Sequence, residues 1–116
     1  MIRDSLGEEK SSMYIERGKK SIALLKEILA ISSVNGADNE GVVAEFIANY
    51  LKEKHIDAFV QQIDETHANI IAKLEGKSSE TVVWNGHLDT VPYGNTEEWN
   101  TDPSIPVPSD DAIKNI

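Results

Sequence analysis

The 116-residue sequence contains no cysteine. Disulfides, thiolate nucleophiles and Cys-ligated zinc are therefore excluded, and any metal has to be held by His, Asp and Glu. Positive charge is also scarce: 11 Lys and Arg face 20 Asp and Glu, for a formal net charge of -9. Such a surface repels phosphate backbones, so no nucleic-acid partner is expected. Long apolar runs are missing too. Stretches such as Ile22 to Leu25 and Ile28 to Ile31 are short, whereas a bilayer span needs roughly 20 apolar residues. The opening MIRDSLGEEKSSMYIERGKK has no apolar stretch of the secretory kind. No membrane partner is expected, and the cytoplasm is the expected location.

What is present suits one domain. Apolar residues make up 40% of the chain and charged residues 27%, close to the average for globular proteins. Residues 1–14 are polar and aperiodic, a loose lead-in or a frayed helix start. From Glu16 to Ser32 the residues Ile22, Leu25, Ile28, Leu29 and Ile31 recur at three- and four-residue intervals, which predicts an amphipathic helix. Ser32-Ser33-Val34-Asn35-Gly36 ends it, with Gly and Asn supplying the turn. A second helix is predicted from Asn39 or Glu40 to Lys54, with Val42, Val43, Phe46, Ile47, Tyr50 and Leu51 as its apolar stripe. Asp38 or Asn39 would cap it.

The period then changes from helical to strand-like. Ala58–Ile63 and Asn69–Leu74 predict a hairpin turning through Asp64 to His67. Gly76-Lys77-Ser78-Ser79 reads as another turn. Thr81-Val82-Val83-Trp84, apolar on both faces, predicts a third and central strand, with Trp84 in core packing. Beyond Asp89, Pro92, Gly94, Pro103, Pro106 and Pro108 predict loop. The expected fold class is α/β, with two helices, a hairpin and a central strand in an incomplete sheet.

The chemistry is concentrated in Gly86-His87-Leu88-Asp89-Thr90-Val91-Pro92. His87 follows a predicted strand end, where ligands gather in open α/β sheets. In extended backbone, residues two apart share a side. Asp89 can then hold one imidazole nitrogen of His87 while the other faces a metal, fixing tautomer and orientation. His-x-Asp alone is a weak pattern, since a His near a strand end is more often a satisfied polar residue.

Its surroundings are more specific. Gly86 to Pro92 resembles the first metal-site motif of the zinc-dependent peptidase/deacylase family, the group of acetylornithine deacetylase, succinyl-diaminopimelate desuccinylase, aminoacylase and glutamate carboxypeptidase. Ser33-Val34-Asn35-Gly36 resembles the family's S-x-N/S-G turn. His67-Ala68-Asn69-Ile70-Ile71-Ala72 resembles its N-[IV]-[IV]-A strand, and Trp99-Asn100-Thr101-Asp102-Pro103 its W-x-x-D-P loop.

The resemblance implies the start of a zinc-aminopeptidase-like catalytic domain over residues 15–116, without its later strands and without the lid or dimerisation domain. It implies His87 as a metal ligand and Asp89 as the carboxylate that orients it. Gly86, Thr90, Pro92, Asn69, Trp99, Asp102 and Pro103 would be motif positions that shape the site. It further implies two zinc ions per complete site, with cobalt or manganese also admissible, and hydrolysis of an amide bond in N-acyl amino acids or short peptides. Ser104 stands where the family commonly has Phe, and Asp110-Asp111-Ala112-Ile113 resembles a hairpin after which the bridging Asp and the remaining ligands do not follow.

Two readings therefore stand side by side. One is a catalytic chain of which this is the opening part. The other is a truncated, non-catalytic remnant or a small module that binds through a sheet edge, with homo-oligomers through that edge expected. Behind both stands a plain α/β binding domain with accidental resemblance. Elsewhere, His55 reads as a junction residue at a turn. His67 reads as a turn residue with no catalytic partner beside it. Trp99 either covers the active-site side of the domain or anchors its loop.

Overall fold

The computed structural model describes residues 5–109 and 112–114. In chain order these form α1 (Ser5–Leu29), α2 (Glu40–Glu53), β1 (Asp57–Gln62), β2 (Ala68–Lys73), a single 3-10 turn (Thr96–Glu98), β3 (Val107–Ser109) and β4 (Ala112–Lys114). The chain is α/β, with two helices and two-stranded antiparallel sheets, a composition compatible with part of a domain. It divides into two compact units, one over residues 31–95 and the other formed by residues up to Ala30 and from Thr96 onward.

In the unit over residues 31–95, α2 packs on the β1–β2 hairpin. Asn39 is the cap: its side-chain oxygen accepts the Gly41 N–H at 2.8 Å. Asp38, the alternative, is engaged in the preceding turn, where it accepts from Ser32 Oγ and from the Val34 N–H at 2.9 Å. The other end of α2 closes on His55, which adopts a left-handed φ of 60°. The His55 N–H donates to Lys52 O and the Ile56 N–H to Leu51 O, both at 2.9 Å. This pair of backward bonds is a Schellman motif, in which the left-handed position is usually glycine. The junction reading of His55 holds.

The hairpin pairs as the alternation predicts, with Val60 opposite Ile70 and Phe59 opposite Ile71. One face, carrying Ala58, Val60, Ala68 and Ile70, is the more buried; Phe59 and Ile71 on the other are exposed. The side chains of α2 that become buried are Val43, Ala44 and Ala48. Val42, placed in the stripe by periodicity, is exposed. Alanines at 44 and 48 replace it because small side chains let the helix come close to the sheet, and close approach is what buries surface.

The expected third strand does not form. Thr81 to Trp84 makes no ladder, and Val82 and Trp84 are 81% and 94% exposed. Trp84 is therefore not core, contrary to the sequence reading. A central strand needs a neighbour on each side to satisfy its backbone, and among the described residues this segment has neither. One isolated parallel bridge, Val34 with Thr90, is the nearest approach to a strand pairing there.

In the other unit, α1 begins well before the periodic stretch that predicted it and ends short of Ser32. Glu8, Glu9, Lys10 and Met13 are good helix formers, and Glu8 lies in the first turn, where the helix dipole favours a negative charge. The C-terminal stretch is not all loop: β3 and β4 pair with Val107 opposite Lys114, and β4 runs beside α1. Pro108 is tolerated because a two-stranded sheet leaves one side of each strand without a ladder to break. Asp110 and Asp111 of the resemblance lie outside the described residues. No helix among the described residues is long and apolar enough to cross a membrane.

Candidate metal-site motif

His87 and Asp89 come together as the sequence reading proposed. His87 Nδ1 lies 3.0 Å from Asp89 Oδ1 and 2.7 Å from the backbone carbonyl of Asp89. Both contacts are oxygen acceptors, so with the carboxylate ionised the nitrogen between them must carry the proton. A neutral ring then has its lone pair on Nε2, the nitrogen on the far edge from Asp89. The His87 side chain is 83% exposed and that of Asp89 33%. The imidazole stands in solvent while the carboxylate behind it is part-covered.

The main chain that carries this pair is fastened to the turn after α1. The Ser33 hydroxyl donates to Leu88 O at 2.8 Å. The Thr90 N–H donates to Ser33 O, and the Asn35 N–H donates to Thr90 O, each at 2.9 Å. Gly36, with φ of +83°, lets the turn reverse, and the Asp38 carboxylate braces it. Those bonds from Ser32 and Val34, in that order, hold the Asp38 carboxyl below the usual carboxylate range.

A second His–Asp pair sits at the β1–β2 turn. His67 Nδ1 lies 2.8 Å and 2.9 Å from the two carboxylate oxygens of Asp64. Asp64 also accepts the N–H groups of Thr66 at 2.9 Å and His67 at 2.8 Å. The Thr66 N–H, then the His67 ring and N–H, hold the Asp64 carboxyl down to about 2. The same carboxylate raises His67 above its usual value, with smaller electrostatic pulls from Glu40 and Asp89. This turn and the His87–Asp89 segment are therefore electrostatically in range of each other. His67 lies in the turn, as the sequence predicts, and Asp64 is its hydrogen-bond partner, an Asp-x-x-His spacing at a tight turn.

No family model matches the chain. Curated relatives do. It is 29% identical over 91 residues to a "probable succinyl-diaminopimelate desuccinylase" of Staphylococcus epidermidis, covering 78% of this chain and 22% of that protein. A protein of the same name from Staphylococcus aureus strain MRSA252 is 27% identical over 95 residues, 82% of this chain and 23% of its own length. A "probable carboxypeptidase" of Aspergillus clavatus is 33% identical over 67 residues, 58% of this chain and 16% of its own. These relatives support the peptidase/deacylase family. The chain spans about a fifth of the length of the desuccinylases it matches.

The other residues of the peptidase/deacylase motifs are distributed as follows. Thr90 forms the bridge to Val34. Gly86 has open space where a Cβ would stand, and Pro92 is exposed. Asn69, on the exposed face of β2, donates from its amide to Gln61 Oε1 at 3.1 Å. Trp99, Asp102 and Pro103 belong to the other unit. Trp99 is half-buried after the 3-10 turn, and Pro103 is buried. Asp102 accepts from the Ser104 hydroxyl at 2.6 Å and the Ser104 N–H at 2.9 Å, the turn expected of Asp-Pro. Those bonds lower its carboxyl below the usual range. Among the described residues no three His, Asp or Glu side chains converge on one point.

Proposed function

We propose that residues 15–116 belong to the opening part of the catalytic domain of a zinc-dependent amide hydrolase, zinc-aminopeptidase-like in fold, and that His87 is one of its metal ligands with Asp89 as its orienting carboxylate. The observation that carries the proposal is the His87 ring, which meets the Asp89 carboxylate and backbone carbonyl through Nδ1 while most of its side chain is exposed. The donor chemistry fits: a neutral imidazole backed by a carboxylate is a common metal ligand. The set is partial, since a catalytic zinc takes about three protein ligands, and the others would lie outside the described residues.

Bound metal would polarise an amide carbonyl and lower the pKa of a water beside it. This chain's own contribution is narrower. Asp89 takes up Nδ1, which leaves the Nε2 lone pair of a neutral ring on the far edge, and the Ser33–Asn35 turn holds the peptide on either side of Asp89. The substrate class we propose is an N-acyl amino acid, N-succinyl diamino acids included, or a short peptide. The desuccinylase and carboxypeptidase names of the relatives support this.

The test is zinc titration of the chain followed by ring 15N spectra. His87 Nε2 is expected to shift ahead of His55 and His67, and His87→Ala to abolish that first response. Hydrolysis of an N-succinyl or N-acetyl amino acid is the accompanying assay for the polypeptide in its longest form. A response confined to His67 would remove the proposal.

The exposure of Val82 and Trp84 favours a second reading, a module that associates through this segment. Sedimentation separates it: a concentration-dependent dimer that Val82→Glu dissolves supports it, and a monomer at all concentrations excludes it.

A further inference from the structure

Ser33 is buried, at 4% exposure, and it is the polar residue of the core among the described residues. Its hydroxyl and its carbonyl are both used on one target. The hydroxyl donates to Leu88 O, one residue before Asp89, and the carbonyl accepts from the Thr90 N–H, one residue after it. Asp89 is thus held by its neighbours on both sides. Two of its own oxygens, one of them the backbone carbonyl, meet His87 Nδ1.

We propose that Ser33 is a positioning residue for His87: by pinning the Leu88 carbonyl it fixes the Asp89 main chain, and through it the Nδ1–H tautomer and the outward aim of Nε2. A buried serine that only satisfies its own hydroxyl would need one acceptor anywhere nearby. Here the acceptor is Leu88, the residue between His87 and Asp89, and the backbone carbonyl of Ser33 itself takes the Thr90 N–H. The peptide planes flanking Asp89 decide where its carbonyl points. At 2.7 Å from Nδ1 that carbonyl is the shorter of the two contacts, so freeing Leu88 O acts directly on the ring. The role bears on hydrolysis only under the reading of His87 as a ligand.

The experiment measures ring 15N shifts of His87 at mildly alkaline pH in the unaltered chain, in Ser33→Ala and in Ser33→Thr. The unaltered chain is expected to hold the Nδ1–H tautomer. Ser33→Ala is expected to lower the Nδ1–H to Nε2–H ratio about fivefold, the scale of one lost hydrogen bond. Ser33→Thr, which keeps the hydroxyl, restores it. Unchanged amide shifts over residues 40–73 show that the fold survives. Should Ser33→Ala unfold, Ser33→Cys gives the comparison, with a weak S–H donor and an intermediate ratio expected. An equal ratio in the folded variants overturns the proposal, as does a mixed tautomer in the unaltered chain. Adding zinc to the same samples separates the two ideas. A ring that ignores zinc while its tautomer follows Ser33 removes the ligand reading alone. A ring that answers zinc while ignoring Ser33 removes the positioning role alone.

Discussion

Thr90 donates its N–H to the carbonyl of Ser33 at 2.9 Å, joining the segment after His87 to the turn after α1. The preceding residues have no comparable anchor, since Val82, Val83 and Trp84 are exposed and unpaired in strand terms. Exchange of backbone amides with solvent follows such local differences. Thr90 and Asn35 are expected to exchange slowly, and residues 82–84 at the rate of an open chain. Uniform exchange from 81 to 95 would show that the bridge does not persist in solution.

The Asp64–His67 pair predicts a pH window for the β1–β2 turn. Asp64 is lowered from 3.8 to about 2 in the fold, so its contribution is present above 3.8 and lost as pH falls through about 2. His67 is raised from 6.5, so its contribution is present below 6.5 and lost as pH rises through the higher folded value. The turn is therefore held best between these limits. NMR of the Thr66 and His67 amides against pH should show two separate transitions, of which Asp64→Ala loses the acidic one and moves the other to lower pH. One transition alone would mean the two groups are not coupled in this way.

His55 carries a left-handed backbone at the end of α2. A non-glycine residue there costs roughly 1 kcal/mol, and glycine removes that cost while losing some of it again to the freedom of the unfolded chain. Replacing His55 by glycine is expected to stabilise the chain by about 0.5 kcal/mol, read as a higher urea midpoint at unchanged slope. Alanine at the same position should bring no such gain. A fall in the midpoint with glycine would mean that the imidazole makes a contact that matters.

Trp84, at 94% exposure, contributes no packing to this chain. Trp84→Ala is expected to change unfolding free energy by less than about 0.5 kcal/mol, whereas Val43→Ala, at a site 2% exposed, removes buried methyl groups and should cost about 1–2 kcal/mol. Denaturant melts of the two variants give the comparison. A large loss for Trp84→Ala would place the indole in a buried setting.

Much of this was legible in the sequence where the signal is local. The helical period of α2, a cap at Asp38 or Asn39 and the alternation of Ile70 and Ala72 each lie within a few residues, and the elements they predict form. The strand at Thr81–Trp84 does not, because Val-Val-Trp announces burial, and burial depends on partner strands that no local pattern supplies. Val42 and the alanines of α2 exchanged places for a related reason: periodicity finds a face, but the sheet decides which edge of that face it touches. His87 and Asp89 were found together because their geometry is set two residues apart. The grip of Ser33 on Leu88 leaves no mark on either stretch of sequence by itself. The Asp64–His67 pairing is also local, three residues apart in one turn.

The hydroxyl of Ser33 and the carbonyl it meets are separated by 55 positions, whereas the β1–β2 hairpin joins Gln62 to Ala68. Bringing together ends so far apart costs about 2 kcal/mol more chain entropy than closing the short turn, and long-range closures slow folding. The helix and hairpin can assemble from neighbours, while the orientation of the imidazole waits for the two distant stretches to meet. A partly folded chain would give much of the native circular dichroism with His87 still unaligned, so the ordering of its ring should lag behind helix content during refolding.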